Sequence, residues 1–383
     1  MPSDPLELFQ ALISLEGRAD PYPLYAALRE HGPLVNLGDG YLIATGYDMV
    51  DGVLRDPAFG VEEGAIFEGS SLLRSNPPDH TRMRRLMSGV FTARRVSGLR
   101  DAVVATTNKL IDAMRAKGNT ADIMADFAYR LPVNIICELL GVPEKDREWF
   151  RPVARDFTVI LEATISPEDS EFAADAGLLI RRYFTALVEQ RRAHPKDDLV
   201  SALASEDALT DGELLSNLAL LLVAGFETTT NLIGNGLRIM FDYPTQTAEL
   251  SLRPNDFVEE FLRFDSPVQL TSRVALQDTI LFESRIPAGS YILTLIGSAN
   301  RDPRRFTNPD VFDTSRPNNT PISFGAGAHF CLGAALARLE AQVAFPLLLQ
   351  RLPGLRPAGD PVRRPRLVLR GYESMPVEWD APN

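Results

Sequence analysis

The stretch that decides the fold is Phe324-Gly325-Ala326-Gly327-Ala328-His329-Phe330-Cys331-Leu332-Gly333. A lone cysteine is most often a small buried hydrophobe, and Cys137, within the apolar run Leu131–Leu140, fits that description. Cys331 differs, because glycines surround it and a helical pattern begins directly after it. A thiolate at a helix N-terminus is stabilised by the helix dipole and by free backbone N–H groups. The glycines let the backbone turn tightly and let a flat ligand approach, as a thiolate ligand to a planar cofactor requires.

Three other chemistries do not match this stretch. A dinucleotide-binding turn needs a glycine where Phe330 stands, within a strand–helix–strand unit that is not indicated here. A zinc site needs clustered ligands, whereas the histidines are scattered at His31, His80, His194 and His329. The Gly-x-Ser-x-Gly elbow of serine hydrolases does not occur in the sequence.

The longest predicted element lies in the middle of the chain. Thr210-Asp211-Gly212-Glu213 fits a capping box, in which Glu213 reaches back to Thr210 at the N-cap. A helical pattern continues to about Phe241, where Asp242-Tyr243-Pro244 ends it. Its side chains are largely apolar, so we expect a buried helix of about 45 Å. Such a helix crosses a whole domain, and we therefore expect residues 1–383 to form one large domain.

Strand signals are few and fall in two regions. One is a hairpin at Leu34–Thr45, with Gly38-Asp39-Gly40 as its turn, and the other lies between Val268 and Ile296. Most of the remaining chain has helical periodicity, including a final helix over about Leu332–Leu352. We therefore predict a mainly α fold with a minor β component, of the α+β class.

Composition and charge exclude several classes of function. Lysine and arginine total 39 and aspartate and glutamate 51, so the net charge of the 383 residues is −12, which disfavours general nucleic-acid binding. Two cysteines exclude a disulfide framework. The N-terminal residues have no signal-peptide pattern, and no apolar stretch approaches the about 18 residues that span a bilayer. We expect a soluble, cytoplasmic protein without a membrane anchor.

The spacing Phe-x-x-Gly-x-x-x-Cys-x-Gly resembles the haem-binding signature of the cytochrome P450 family. Phe324, Gly327, Cys331 and Gly333 occupy its fixed positions, and His329 matches a common choice. The resemblance extends over essentially the whole chain. It implies the cytochrome P450 fold, with a long central helix over the haem. It also implies that Cys331 is the axial thiolate ligand of the haem iron, which favours O–O cleavage.

A second motif lies in the central helix, at Ala224-Gly225-Phe226-Glu227-Thr228-Thr229. Glu227 and Thr228 are polar residues within an otherwise apolar helix, which requires a reason. The motif resembles the oxygen-activation motif of the family. That resemblance implies that Gly225 opens the helix to oxygen and water, that Thr228 hydrogen-bonds them and that Glu227 relays protons. The alternative is a packing glycine beside a threonine that bonds its own helix.

A third motif is Glu260-Phe261-Leu262-Arg263, whose charged residues lie at i and i+3 and so share one helix face. Surface ion pairs of this kind are common, so the motif alone is a weak signal. It resembles the Glu-x-x-Arg motif of the family, which implies a partner arginine at Arg316. We expect Glu260, Arg263 and Arg316 to hold the pocket in shape.

Buried carboxylates need cationic partners, and haem carries two propionates. The segment Pro77–Arg85 resembles the family's propionate-binding helix, in which His80 and Arg84 lie at i and i+4. Arg273 matches the arginine of a family strand. Together with His329, the resemblance implies four donors for two carboxylates; a solvated basic residue is the alternative for each of them alone.

The resemblance implies a bacterial monooxygenase that uses haem b and O2 to hydroxylate or epoxidise a hydrophobic small molecule, such as a secondary metabolite. Electrons from NAD(P)H would arrive through a separate ferredoxin and ferredoxin reductase, because 383 residues leave no room for a reductase domain. A basic docking patch on the Cys331 side is expected to include Arg82, Arg85 and Arg338. Two alternatives stay open. The same haem can serve oxidative coupling or desaturation, or the protein can be a haem-binding sensor without turnover.

Overall fold

The structure is a computed structural model that describes residues 4–64, 69–162 and 166–381. Its helices are α1 (Pro5–Ile13), α2 (Leu15–Ala19), α3 (Tyr22–Glu30), α4 (Tyr47–Arg55), α5 (Asp79–Val90), α6 (Ala93–Gly98), α7 (Arg100–Lys117), α8 (Arg130–Leu140), α9 (Glu144–Phe157), α10 (Pro167–Ala193), α11 (Leu199–Ala204), α12 (Asp211–Asp242), α13 (Pro244–Thr247), α14 (Pro254–Phe264), α15 (Ile296–Ala299) and α16 (Ala334–Arg351). Its strands are β1 (Leu34–Gly38), β2 (Tyr41–Ala44), β3 (Phe59–Gly60), β4 (Thr120–Asp122), β5 (Thr271–Ala275), β6 (Thr279–Leu281), β7 (Ser284–Ile286), β8 (Tyr291–Thr294), β9 (Arg356–Pro357), β10 (Val362–Arg363), β11 (Tyr372–Ser374) and β12 (Pro376–Glu378). The predicted mainly α fold with a minor β component is confirmed.

The chain divides into two compact units. The first comprises Met1–Glu62, Arg238–Cys331 and Arg363–Gly371, and the second Glu63–Leu237, Leu332–Val362 and Tyr372–Asn383. The expected single domain over residues 1–383 stays a prediction. Across the described ranges, no helix has the length and apolar character that crossing a membrane requires.

The first unit is organised by a five-stranded sheet in the order β1-β2-β8-β5-β3. The pairing of β2 with β8 is parallel, and the other pairings are antiparallel. The predicted β1–β2 hairpin is confirmed, and Gly38, Asp39 and Gly40 all have positive φ angles at its turn. Glycine adopts this left-handed region at no steric cost, and aspartate tolerates it better than most residues.

An apolar cluster in the first unit joins this sheet to α4 and to the segment before Cys331. Helix α4 contributes its buried face, and the strands contribute side chains such as Leu42 and Ile292. Ile322 and Ala326 belong to the same cluster, so the start of the cysteine segment is anchored in the core. The sheet thereby fixes the position from which Cys331 is presented.

The second unit is mostly helical. Helices α9 and α10 pack through aromatic rings, with Phe150 and Tyr183 centroids 4.8 Å apart. At the end of α16, Arg351 donates to Asn108 and Asp112 of α7, each at 2.5 Å. A small antiparallel sheet in the order β4-β12-β9 completes the unit.

Helix α12 confirms the predicted capping box. The backbone N–H of Thr210 donates to Glu213 Oε2 at 2.9 Å, and that of Glu213 donates to Thr210 Oγ1 at 3.2 Å. The helix ends at Asp242, one residue beyond the predicted end. It is buried over most of its length, because its apolar residues run nearly all round it.

Candidate active site

Cys331 lies at the end of a tightly turned segment of the first unit. Its backbone N–H donates to the Phe324 carbonyl at 2.9 Å, which closes the turn. Gly325 and Gly327 have φ angles of 69° and 66°, in the region that favours glycine. A Cβ on Gly327 would lie 2.2 Å from the Leu54 carbonyl oxygen, so this position also needs glycine for space.

The two cysteines occupy different environments, as expected. Cys137 is fully buried on α8, and desolvation by burial raises the pKa of its thiol to about 12. Cys331 is partly exposed. A thiol that keeps its proton and lies in the core is inert, whereas a partly exposed thiol in a glycine turn can meet a ligand.

A network of buried hydrogen bonds holds the start of the cysteine segment in place. Asn300 accepts a hydrogen bond from the Ile322 backbone N–H at 2.8 Å and donates to Ser266 and Ser323, each at 2.8 Å. Ser323 in turn donates to the Leu262 carbonyl at 2.7 Å. The sequence analysis missed these positioning residues, because a serine or an asparagine in an irregular stretch carries no periodic signal.

Glu260, Arg263 and Arg316 come together as expected. Arg263 binds Glu260 through two hydrogen bonds of 2.7 Å, and Arg316 Nε lies 3.5 Å from Glu260 Oε2. Both arginines also donate to the Val311 carbonyl. The Glu260 carboxylate therefore organises the irregular chain between α15 and the cysteine segment.

Arg273 is a buried cation on β5, an interior strand of the five-stranded sheet. The residue is 6% exposed, and its Nη1 donates to the Ser272 carbonyl at 2.7 Å. No carboxylate of the described residues forms an ion pair with it. Desolvation lowers the pKa of this guanidinium to about 10, so it remains charged at neutral pH. A buried cation of this kind fits a ligand that brings its own carboxylate.

The other predicted carboxylate donors lie in both units. His80 and Arg84 occupy one face at the start of α5 in the second unit; His80 is buried and Arg84 is half-buried. His329 is half-buried in a short 3₁₀ turn, Gly327–His329, in the first unit. That these donors and Arg273 serve the same ligand stays a prediction.

Helix α12 presents Glu227 and Thr228 as part of a regular helix. Glu227 is 1% exposed. The Thr228 hydroxyl donates to the Ala224 carbonyl at 2.8 Å, one turn earlier. A Cβ on Gly225 would lie 2.8 Å from Ile136 Cγ1, so Gly225 lets α8 pack closely. These contacts agree with the packing alternative for Gly225, and the opening of the helix to oxygen stays a prediction.

One stripe of α12 is accessible although most residues around it are buried. Ala224 is exposed, and Leu220 and Thr228, four residues before and after it, are partly exposed. Residues four apart share a helix face, so the stripe is a continuous strip of small and apolar groups with one hydroxyl. It fits the face of a flat apolar cofactor.

The donor set fits an iron porphyrin better than a protein-bound metal ion. In the described part of the chain, no group of three or more histidine, cysteine or acidic residues can hold a metal. A porphyrin supplies four nitrogen ligands itself, so a single thiolate such as Cys331 suffices. Within the first unit, the buried Arg273 guanidinium matches the carboxylates of such a group.

Comparisons with known proteins agree with this chemistry. Residues 255–367 match the family model described as cytochrome P450. The chain is 39% identical to cytochrome P450 monooxygenase PikC of Streptomyces venezuelae over 94% of this chain and 91% of that protein. The crystal structure of P450BioI in complex with an acyl-carrier protein loaded with hexadec-9Z-enoic acid superposes with a TM-score of 0.90, at 36% identity over 95% of this chain and all of that one. The cytochrome P450 PksS of the Bacillus subtilis 168 bacillaene polyketide synthase gives a TM-score of 0.87, at 35% identity over 96% of this chain and 99% of that one.

Proposed function

Because this chain belongs to the cytochrome P450 family, we propose that the Cys331 thiolate would bind its haem iron and that Glu227 and Thr228 would hold and move the protons that the reaction consumes. The protein is a haem-dependent monooxygenase. The assignment of Cys331 as the iron ligand rests on one observation. The Cys331 side chain is partly exposed at the end of a glycine turn whose start is anchored in the core.

The residues that would hold haem b follow from their chemistry. The Cys331 thiolate would bind the iron, and Phe324 and Gly327 shape its turn. Arg273, His80, Arg84 and His329 would bind the two propionates, and Gly225 would lie beside the cofactor. The buried, carboxylate-free environment of Arg273 supports this most directly. Bound haem supplies the activation of O2, which is the part of the reaction that side chains cannot perform.

Protons would reach the oxygen through α12. Thr228 has a hydroxyl on the accessible stripe, and Glu227 lies next to it in the buried part of the helix. A hydroxyl rotates easily, so the Thr228 bond to the Ala224 carbonyl can be exchanged for one to oxygen or to water. Glu227 can accept and release a proton, and burial keeps bulk water from competing with it.

The substrate would be a hydrophobic small molecule, such as a secondary metabolite, which the enzyme hydroxylates or epoxidises. The accessible stripe of α12 offers it mainly apolar groups. The likeness to PksS, a cytochrome P450 of a polyketide synthase, supports this substrate class. We infer a cytoplasmic location, where a free thiol such as that of Cys137 stays reduced.

The electron donors would be NAD(P)H, a ferredoxin reductase and a ferredoxin that docks on a basic surface including Arg85 and Arg338. Arg82, expected in the same patch, forms ion pairs with Glu213 and with Asp79, which neutralise its charge. Arg85 is exposed. Arg85→Glu should slow electron transfer and weaken its salt dependence, whereas Arg285→Glu, a matched change at an exposed position of β7, should do neither. Equal rates for both variants would reject the patch.

Turnover in labelled dioxygen tests the monooxygenase activity. A ligand screen by Soret shift first selects a substrate, and the purified holoenzyme then reacts under ¹⁸O₂ with NADPH and a surrogate ferredoxin and reductase. One labelled oxygen atom in the product is expected, the other leaving as water. Oxidised product without label would indicate coupling or desaturation, and ligand binding without oxygen uptake would indicate a sensor.

A further inference from the structure

Asn231 is a buried amide on α12 that the proposed reaction has not used. Its side chain is fully buried, and among the described residues neither Nδ2 nor Oδ1 has a hydrogen-bond partner. Buried amides in native proteins are almost always hydrogen-bonded, because leaving them bare loses the hydrogen bonds they make with water. An asparagine with both groups bare is therefore placed to bind polar molecules within the protein.

The contrast with Asn217 on the same helix is informative. Asn217 lies 14 residues earlier, almost four helical turns, and so near the same face. Its Nδ2 donates to the Glu213 carbonyl at 2.8 Å, and its Oδ1 accepts from the Leu72 backbone N–H at 3.0 Å. Protein groups thus provide hydrogen-bond partners for both side-chain atoms of Asn217. Among the described residues, they provide no partner for either side-chain atom of Asn231.

The position of Asn231 indicates what it serves. It follows Glu227 by four residues, so the two buried side chains lie on one face, a turn apart. Three residues further on, Gly234 packs so closely that a Cβ there would lie 2.8 Å from Met124 Sδ. One turn beyond Asn231 on the same face lies a second buried amide, Asn235. Water is the small molecule that can bond the Asn231 amide between that amide and the Glu227 carboxyl group.

We propose that Asn231 binds ordered water beside Glu227 and so positions the water from which Glu227 is reprotonated. The inference rests on the proposed function, because it gives Glu227 its proton source. Water would donate a proton to the Glu227 carboxylate, a proton from the neighbouring hydrogen-bonded water would replace the one lost, and Glu227 would pass its proton on toward the Thr228 hydroxyl. Asn231 gains and loses no net proton; it is a positioning residue and not a catalytic one.

The stability of the ferric holoprotein gives the first test. Asn231→Leu replaces the amide by an apolar side chain of similar size, and Thr230→Val is the matched control, since Thr230 Oγ1 is also buried without a partner among the described residues. If Asn231 binds water, Asn231→Leu lowers the urea midpoint, whereas Thr230→Val leaves it unchanged or raises it. If the Asn231 amide has no hydrogen-bond partner, not even water, Asn231→Leu also raises the midpoint. The variant then removes the cost of burying an amide without hydrogen bonds. That rise would overturn the proposal.

The second test measures oxygen reduction in the absence of substrate. Its products change only if the delivery of protons changes. The ratio of NADPH to O2 consumed is one when O2 is reduced to hydrogen peroxide and two when it is reduced to water, which takes two more electrons and two more protons. With a surrogate ferredoxin and reductase, Asn231→Leu should shift the ratio toward one and raise the solvent deuterium isotope effect. Asn231→Ser, which retains a hydroxyl and leaves room for water, should restore part of both. Values for Asn231→Leu that match those of Thr230→Val would overturn the proposal.

The two tests separate this inference from the proposed function. If the wild-type protein lacks the red-shifted Soret band of a thiolate-ligated ferrous–CO haem, or takes up no oxygen, the proposed function fails. If the band and oxygen uptake are present and Asn231→Leu behaves as Thr230→Val does, only the role of Asn231 fails.

Discussion

Arg263 donates to both carboxylate oxygens of Glu260, from Nε to Oε2 at 2.7 Å and from Nη2 to Oε1 at 2.7 Å, and neither side chain is exposed. The Glu260 carboxylate accepts two further hydrogen bonds, from the Asp313 backbone N–H and from the Asn319 amide. A buried pair with this geometry holds several chain segments at once, and the loss of either partner leaves an uncompensated charge.

Glu260→Gln should therefore destabilise the protein by about 3–5 kcal/mol. The variant leaves the Arg263 charge buried without a counter-charge, and the chain before Cys331 loses its organising carboxylate. Urea unfolding of the holoprotein measures the loss. The control is Asp51→Asn, which breaks the exposed pair with Arg55 on α4 and should cost at most about 1 kcal/mol. Similar losses for the two variants would contradict a special role for the buried pair.

Gly327→Ala should reduce the fraction of protein that binds haem through a thiolate. The substitution places a side chain at a φ of 66° and within 2.2 Å of the Leu54 carbonyl oxygen, which costs at least about 1–3 kcal/mol. Gly333→Ala is the control in the same signature, because no atom lies within 4 Å of an added Cβ there. The ratio of ferrous–CO absorbance to protein measures the effect, and an equal ratio in both variants would show that the turn is not constrained.

Arg273→Met should accelerate haem loss about ten- to hundredfold, since a charge-assisted hydrogen bond to a carboxylate contributes about 1.5–3 kcal/mol. The same change removes a buried cation whose pKa is lowered by desolvation to about 10. Transfer of haem to excess apomyoglobin gives the rate. Arg285→Met, at an exposed position of β7, is the control and should leave the rate unchanged. If Arg273→Met loses haem no faster than the control, Arg273 does not bind a propionate.

Asp265 makes the stability of the first unit sensitive to acid. Burial alone would raise the pKa of this carboxyl, but Arg370, Arg363 and the Tyr22 hydroxyl lower the pKa to about 2, from the usual 3.8 of an aspartate. Because the folded-state value is depressed, the carboxylate contributes stability above pH 3.8 that is lost as the pH falls toward 2. This lowering of the pKa corresponds to roughly 2–3 kcal/mol of stability.

Asp265→Asn should thus remove part of the loss of stability between about pH 4 and pH 2, while lowering stability at neutral pH. The free energy of unfolding, measured in urea across this range, checks both effects. Asp20→Asn, at an exposed position near the same cluster, serves as the control. A wild-type-like pH slope for Asp265→Asn would show that another group controls acid sensitivity.

Local patterns in the sequence predicted the parts of the fold that depend on neighbouring residues. The hairpin at β1–β2, the capping box at Thr210 and Glu213, and the turn that presents Cys331 each depend on residues close in sequence. The Glu260–Arg263 pair was likewise predicted, because residues three apart share a helix face. The role of Arg316 came from family resemblance and not from spacing.

Contacts between distant residues were not predicted. Asp265 and Arg370 are 105 positions apart, and Asn300 reaches Ser266 across 34 positions. No periodicity links such residues, so their contacts become visible only in the structure. Asn231, in contrast, could have been found from the sequence. A polar residue within a buried apolar helix was the signal that singled out Glu227, and Asn231 shows the same signal.

The ferrous–CO absorption spectrum of wild type, Cys331→Ser and Cys137→Ser tests the central claim most directly. We predict the red-shifted Soret band of a thiolate-ligated haem in the wild type and in Cys137→Ser, and its complete loss in Cys331→Ser. A wild type without this band, or a Cys331→Ser variant that retains it, would contradict the assignment of Cys331 as the axial ligand.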